Sequence, residues 1–370
     1  MSGPLIGIVG SAGAYGRWLR RFFNDRMGLD VIGCDPADPA AMDEVELVHR
    51  ADVLVFSAPI RHTCDLIHRY VELADGSESG KLWLDITSIK GAPVAAMLQS
   101  RAEVAGLHPM TAPPKAPTLK GRVMVVCEAR LEHWRPWLQA LLRSLEAECV
   151  RSSPEQHDRI MALVQAMVHA SHLAQAGVLR GQAPHVGDLA ALLPFRSASF
   201  EMDAAIIARI LSLNPAIYED IQFGNPYARE TLEAMGRQIA RMAELVGEGT
   251  DAARAAFRHE FLHANRDAIG TRALQEGNYT YERVGYLLAD LAGRRALSVH
   301  LPEDRPGSLR ALLHVFERHD ISLSSIHSSR TPDGDVHFRI GFAEQVDVAS
   351  LQRVADDIDA SGIGVVVKGG

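Results

Sequence analysis

The short apolar run Leu5 to Val9 ends directly in Gly10-Ser11-Ala12-Gly13-Ala14-Tyr15-Gly16, and an amphipathic stretch from Tyr15 to Met27 follows. Few folds accept that succession. A strand, a glycine turn and a helix in that order begin a βαβ unit, in which backbone N–H groups and a helix N-terminus can approach a pyrophosphate closely. The turn alone is a weak signal, because the usual fingerprint has glycine where Ser11 stands. Asp35 strengthens it. It closes the second apolar run, Val31 to Cys34, about 20 residues past the turn, where a carboxylate accepts hydrogen bonds from an adenosine ribose and repels a 2′-phosphate. The expected dinucleotide is NAD rather than NADP. Its expected contacts are Gly10, Ser11, Ala12, Gly13, Ala14, Tyr15 and Gly16 in the turn, then Asp35, and then Ser57 and Pro59 after the third run.

The alternation continues through Val53 to Ser57, Leu82 to Ile86 and Val123 to Cys127. Repeated strand and helix predict a Rossmann-like α/β domain on a parallel sheet over residues 1–151. From Pro154 onward the β-branched clusters give way to Ala, Leu, Met, Arg and Glu, with apolar residues at helical spacing in Ile160 to Val178, Ala204 to Leu213 and Glu230 to Leu245. Residues 152–292 are therefore expected to be all helix, punctuated at Asn214-Pro215 and Asn225-Pro226. After Gly293 the pattern changes again. Ala296 to Leu301 reads as a strand, Gly307 to His319 as a helix, and Ile321 to Ser329 and Val336 to Phe342 as strands around the turn Pro332-Asp333-Gly334. A helix over Val348 to Ser361 and a strand over Gly364 to Val367 follow. The order βαββαβ predicts a small α+β ferredoxin-like unit over residues 293–370.

Charge narrows the partners. With 46 acidic and 38 basic residues the net charge is −8, which argues against the broad positive field that nucleic acid or an anionic membrane requires. No stretch of about 20 apolar residues or signal-peptide pattern is visible, so no membrane span is expected. Cys34, Cys64, Cys127 and Cys149 have no paired spacing and read as reduced thiols, so a cytoplasmic setting is expected.

In an open parallel sheet the ligand lies beyond the carboxyl ends of the strands. Three segments fall there: Ser57-Ala58-Pro59-Ile60, Asp85-Ile86-Thr87-Ser88-Ile89-Lys90 and Gly106-Leu107-His108-Pro109-Met110. His108, fixed by the proline after it, can accept the proton of a substrate hydroxyl while hydride leaves the same carbon. With these residues in place the chain resembles the prephenate dehydrogenases. The resemblance rests on the turn at Gly10 to Gly16, Asp35, the Asp85 to Lys90 segment and above all Leu107-His108-Pro109-Met110. It continues in His157-Asp158, Val164-Gln165-Ala166 and His169, and in His263, Arg266-Asp267 and Gly270, covering residues 5 to about 285. It implies NAD-dependent oxidative decarboxylation of prephenate to 4-hydroxyphenylpyruvate on the route to tyrosine, with arogenate as the alternative substrate, and a homodimer. It also implies that His108 deprotonates the ring hydroxyl and that Ser88 holds His108 or the nicotinamide. Arg266 would clamp a substrate carboxylate, and His169 would add a polar contact.

Asp304-Arg305-Pro306-Gly307 and the strands around it resemble the ACT regulatory domain, which implies an aromatic amino-acid effector, with tyrosine the expected one, held at Asp304, Pro306 and Gly307. Ser322 stands where many members have asparagine. Two other classes compete. His259-Glu260-Phe261-Leu262-His263 spells the H-E-x-x-H of zinc metallopeptidases, but no third ligand arrives in a recognisable motif, so no metal is expected. A non-catalytic NAD or amino-acid sensor on the same fold is the other.

Overall fold

The computed structural model describes residues 3–38, 41–292, 295–301, 305–330, 336–343 and 345–367. The chain divides into two compact units, Met1–Gly249 and Thr250–Gly370.

In the first unit the apolar runs become strands β1 (Ile6–Val9), β2 (Val31–Cys34), β3 (Val53–Phe56), β4 (Leu82–Asp85), β5 (Glu103–Pro109), β6 (Val123–Arg130) and β7 (Glu148–Arg151). They form one sheet in the order β2-β1-β3-β4-β5-β6-β7. β1, β3 and β4 are buried at every position, as strands covered on both faces must be. One face packs on Trp18, Phe22, Phe23 and Leu138 to Leu145, the other on Leu47, Ile67, Tyr70, Val94 and Met97.

The sheet is parallel, as the alternation of strand and helix predicts, but for one pair. β5 and β6 run antiparallel, and β7 follows β6 in parallel. The cause lies in residues 110–122, which join β5 to β6 without a helix. Pro113, Pro114 and Pro117 stand in that connection and exclude a crossover helix, and a parallel return needs such a crossover. The connection is tied instead to the glycine-turn helix Ala14–Arg21, where the Tyr15 hydroxyl donates to Thr111 O at 2.5 Å and Trp18 Nε1 to Ala116 O at 3.0 Å. β7 was not expected either. It is a four-residue edge strand, exposed throughout, so no apolar pattern marks it.

Helices complete this unit. Ser153 caps the helix Pro154–Met161 by accepting from Gln156 N. That helix runs through a π-helical stretch, Ala162–Met167, into Val168–Val186. π-helical insertions concentrate at functional sites because they re-aim side chains within a continuous helix.

In the second unit, helices between Asp251 and Ala292 precede a four-stranded antiparallel sheet of β8 (Ala296–Leu301), β9 (Leu323–Arg330), β10 (Val336–Phe342) and β11 (Val365–Val367), ordered β11-β8-β10-β9. Helices Ser308–Arg318 and Val348–Ser361 bury Leu312, Phe316, Val354 and Ile358 against Val299, Phe338 and Ile340 on one face of this sheet. That is the expected ferredoxin-like arrangement. The turn Pro332-Asp333-Gly334, Gly293 and Asp304 lie outside the described residues.

Candidate active site

A cleft of about 660 Å³ opens where the strand order reverses between β1 and β3, lined by Gly10, Ala12, Gly13, Asp35, Ser57, Ala58 and Pro59 among others. Its close approach depends on glycine. Gly10 has φ +84°, and a Cβ there would lie 2.5 Å from Ser57 O; at Gly16 it would lie 2.2 Å from Gly10 O. Gly13 is the N-cap of Ala14–Arg21. Asp35 accepts from Ala12 N at 2.9 Å and from Ala37 N at 2.8 Å, so its carboxylate also shapes the turn. Ser11, Ala14, Tyr15 and Gly16 are not among the lining residues. Ser11 is buried, and Tyr15 reaches Thr111. His62, Asp65, Arg69 and Glu44 line the cleft without having been expected there; Arg69 pairs with Glu44 at 2.6 Å, and Asp65 adds to the negative charge of Asp35.

Register places the other segments on the same edge. Val9 is level with Phe56, Phe56 with Asp85, and Asp85 with Gly106. His108 therefore projects one pleat beyond the level at which β1, β3 and β4 end. It is 2% exposed, inside β5 and not in the loop after it.

The hydrogen bonds of His108 fix its tautomer. Asp158 accepts from Lys90 N and Gly91 N, both at 2.8 Å, so it faces its neighbours as an acceptor, and His157 Nδ1 must donate to it at 2.8 Å. His157 Nε2 is then a bare lone pair. His108 Nδ1 donates to it at 2.9 Å, which leaves His108 Nε2 unprotonated. The remaining neighbour agrees with this: the Gln165 Nε2 amide, from the π-helical stretch, approaches His108 Nε2 at 3.3 Å as a donor. Asn225 Nδ2 donates to Asp158 O at 2.8 Å and anchors the Asp158 backbone. Burial above all, then His157 and Lys90, holds the His108 imidazole well below its usual pKa.

Lys90 and Asp85 form a fully buried ion pair, and Lys90 Nζ also donates to Leu107 O at 2.8 Å, next to His108 in β5. Asp85 Oδ1 takes the Thr87 N–H at 3.1 Å and hydroxyl at 2.7 Å. Burial pushes the Lys90 ammonium pKa down, opposed chiefly by Asp85.

Ser88 is half-buried in the loop between Thr87 and Lys90. His169, on Val168–Val186, stacks edge-to-face on Tyr218 with centroids 4.9 Å apart. Its Nδ1 is buried without a hydrogen-bond partner among the described residues, and burial followed by His172 lowers its pKa. Arg266 belongs to the second unit, on the helix Ala264–Ile269, with its side chain 62% exposed and Asp267 at 3.5 Å. Pro306 and Gly307 precede the helix Ser308–Arg318, and Gly307 holds φ +99°.

The family model for the prephenate dehydrogenase dimerization domain matches residues 153–259, and that for the ACT domain matches 295–360. A 4-amino-4-deoxyprephenate dehydrogenase from Streptomyces pristinaespiralis is 30% identical over 279 residues, 66% of this chain and 85% of that protein. The chain belongs to the prephenate dehydrogenase family. A probable arogenate/prephenate dehydrogenase from Methanocaldococcus jannaschii is 29% identical over 259 residues, a match spanning 65% of this chain and 56% of the relative. The fold is that of prephenate dehydrogenase from Aquifex aeolicus, solved with hydroxyphenyl propionate and NAD+. The TM-score is 0.56 and the identity 17%, over 73% of this chain and 99% of that one.

His259 and His263 of the H-E-x-x-H sequence lie in the π-helical stretch Arg258–His263. Among the described residues no three His, Cys, Asp or Glu side chains gather as a metal would need. No helix among them is long and apolar enough to cross a membrane.

Proposed function

We propose that this prephenate dehydrogenase family member oxidises and decarboxylates prephenate with NAD, giving 4-hydroxyphenylpyruvate, carbon dioxide and NADH. The observation that carries the reading is the unprotonated Nε2 of His108, a buried base held in that tautomer by Asp158 through His157 and met by the Gln165 amide at 3.3 Å. The nucleotide suits the cleft because Gly10 and Gly13 leave room beside Ser57, and because Asp35 and Asp65 oppose a 2′-phosphate. When bound it supplies the hydride acceptor.

His108 Nε2 takes the proton of the ring hydroxyl as the carbon beneath it becomes a ketone. The positive charge then on the imidazole is stabilised through His157 by Asp158. Loss of the ring carboxylate as carbon dioxide makes the ring aromatic and leaves a phenolate, to which the same proton returns. To Ser88, in the loop after β4, we assign the role of holding His108 or the nicotinamide, and to His169 that of offering its unpartnered Nδ1 to a polar group of the substrate. Arg266 holds a carboxylate. The expected result for Arg266→Ala is a raised prephenate KM with kcat affected less, read from steady-state kinetics.

The pH dependence follows from the direction of the His108 shift. A base works only when neutral, and a pKa held below the ordinary 6.5 keeps it neutral through pH 6.5 and above. The acid limb of kcat/KM is expected below pH 6.5; a limb above that value contradicts the assignment.

We assign residues 1–151 to nucleotide binding, 152–292 to substrate binding and dimerisation, and 293–370 to regulation by an aromatic amino acid held near Pro306 and Gly307. The exposed Phe195, Leu211, Phe223 and Val246 in the helical part suit burial against a second copy. The deciding experiment is NADH formation measured separately with prephenate and with arogenate. Prephenate is expected to be preferred, and absence of NADH with both removes the reading in favour of a non-catalytic sensor.

A further inference from the structure

His108 is 2% exposed, and the neighbour that its unprotonated Nε2 meets is the Gln165 side-chain amide, at 3.3 Å. That separation is longer than the about 2.9–3.0 Å at which an N–H donor usually rests on its acceptor, so the contact is weak and easily displaced. Two nitrogens 3.3 Å apart share positions that lie about 2.8–3.0 Å from both, the ordinary hydrogen-bond distance to oxygen. An oxygen that reaches His108 Nε2 at such a position touches the Gln165 amide as well.

The amide is held in place. Gln165 belongs to the π-helical stretch Ala162–Met167, and the carbonyl of the next residue, Ala166, accepts from Gln222 Nε2 at 2.7 Å. Gln222 lies on the helix Pro215–Gly224, and Asn225, directly after it, donates to Asp158 O. One helix thus fixes both the backbone that carries Gln165 and the residue whose carboxylate sets the His108 tautomer. The orientation of the amide is fixed too. Turned the other way, Gln165 Oε1 would set its lone pairs against that of His108 Nε2 across 3.3 Å. In the orientation adopted, Oε1 is buried without a hydrogen-bond partner among the described residues. A half-satisfied buried amide costs stability, and such groups are kept where a ligand needs them.

We propose, on the basis of the dehydrogenase reading above, that Gln165 is a second catalytic residue, whose Nε2–H donates to the same substrate oxygen from which His108 takes a proton. Donors and acceptors match at every stage. In the ring alcohol the hydroxyl hydrogen points to His108 Nε2, and a lone pair of its oxygen accepts from Gln165. When the proton has passed to His108 and hydride has left the carbon, the oxygen is a carbonyl with two lone pairs. It then faces two donors, the Gln165 amide and the new His108 Nε2–H. Loss of carbon dioxide sends the electron pair of the breaking C–C bond through the ring onto that oxygen, and the phenolate charge falls where both donors already point. A preformed amide, unlike a water, needs no reorientation as that charge grows.

The test compares the full chain with Gln165→Met, which keeps the side-chain length without a donor, and Gln165→Glu, which keeps the shape. NADH formation is followed in steady state with prephenate or arogenate, whichever the parent uses. In Gln165→Met kcat is expected to fall about 10- to 50-fold with KM within a few-fold; a lost oxyanion donor usually costs about 100-fold or more, and protonated His108 covers part of that here. Gln165→Glu gives an independent reading should Gln165→Met unfold at a lower temperature. It is expected to lose at least as much and to move the acid limb of kcat/KM to higher pH, because a carboxylate beside His108 favours the imidazolium. A donor is separated from a packing role by the ionisation of 4-hydroxy-3-nitrophenylpropionate bound to the NAD-saturated protein, read from its visible phenolate absorbance. Its pKa should rise by about one pH unit in Gln165→Met. Turnover within a few-fold of the parent in both variants, or an unmoved phenol ionisation, overturns the role of Gln165 alone. A parent that forms no NADH with either substrate removes the dehydrogenase reading, and Gln165 with it.

Discussion

Replacing His108 by Asn is expected to lower turnover by about 100-fold or more, the usual contribution of a positioned general base, with NAD affinity nearly unchanged. Asn is the informative replacement because its amide can still donate to His157 Nε2 where His108 Nδ1 does now, so the buried relay keeps its partner. What disappears is Nε2. The loss should then fall on kcat, and titration of NAD against the variant should overlay that of the parent, since the cleft lining does not include His108. Turnover within a few-fold of the parent would remove His108 from the chemistry. A loss confined to NAD binding would place it in the nucleotide site instead.

The same residue shows how far the sequence could be read. The ligand edge of the sheet was legible because strand, turn and helix alternate with unambiguous spacing, and Val31–Cys34, Ala296–Leu301, Val336–Phe342 and Val348–Ser361 have the bounds the pattern predicts. Composition could also single out His108, because a histidine before proline at a strand end is a local signal. The histidine's orientation was not legible. It depends on His157-Asp158, 49 and 50 residues further on, and on where Asp158 receives the Lys90 and Gly91 amides. Those contacts are set by how the helix Pro154–Met161 packs on the sheet, and one sequence carries no record of that packing. β5 was obscured for a different reason. Glu103, Gly106, His108 and Pro109 interrupt its apolar residues, so residues that belong to a strand looked like the loop beyond one. Gly106 is needed there because a Cβ would lie 2.8 Å from Lys90 Cδ.

That contact leads to the largest expected change in stability. Lys90→Met leaves the Asp85 carboxylate fully buried with the Thr87 amide and hydroxyl as its donors and no cation. Breaking one half of a buried pair costs about 3–5 kcal/mol, because the surviving charge keeps its desolvation penalty. For a unit of this size that corresponds to roughly 6–20 °C in Tm. The pair itself need not be stabilising. Lys90→Met/Asp85→Asn removes both charges while an amide oxygen still accepts from Thr87, so it is expected to regain most of the lost stability in urea or thermal unfolding. A single variant as stable as the parent would mean that the interior is wetter than its burial implies. The double variant also reports on catalysis. Lys90 helps depress the His108 pKa, so its removal should move the acid limb of kcat/KM to higher pH. A limb that stays in place would show that burial and His157 alone set the base, and that Lys90 serves only to hold β5 at Leu107.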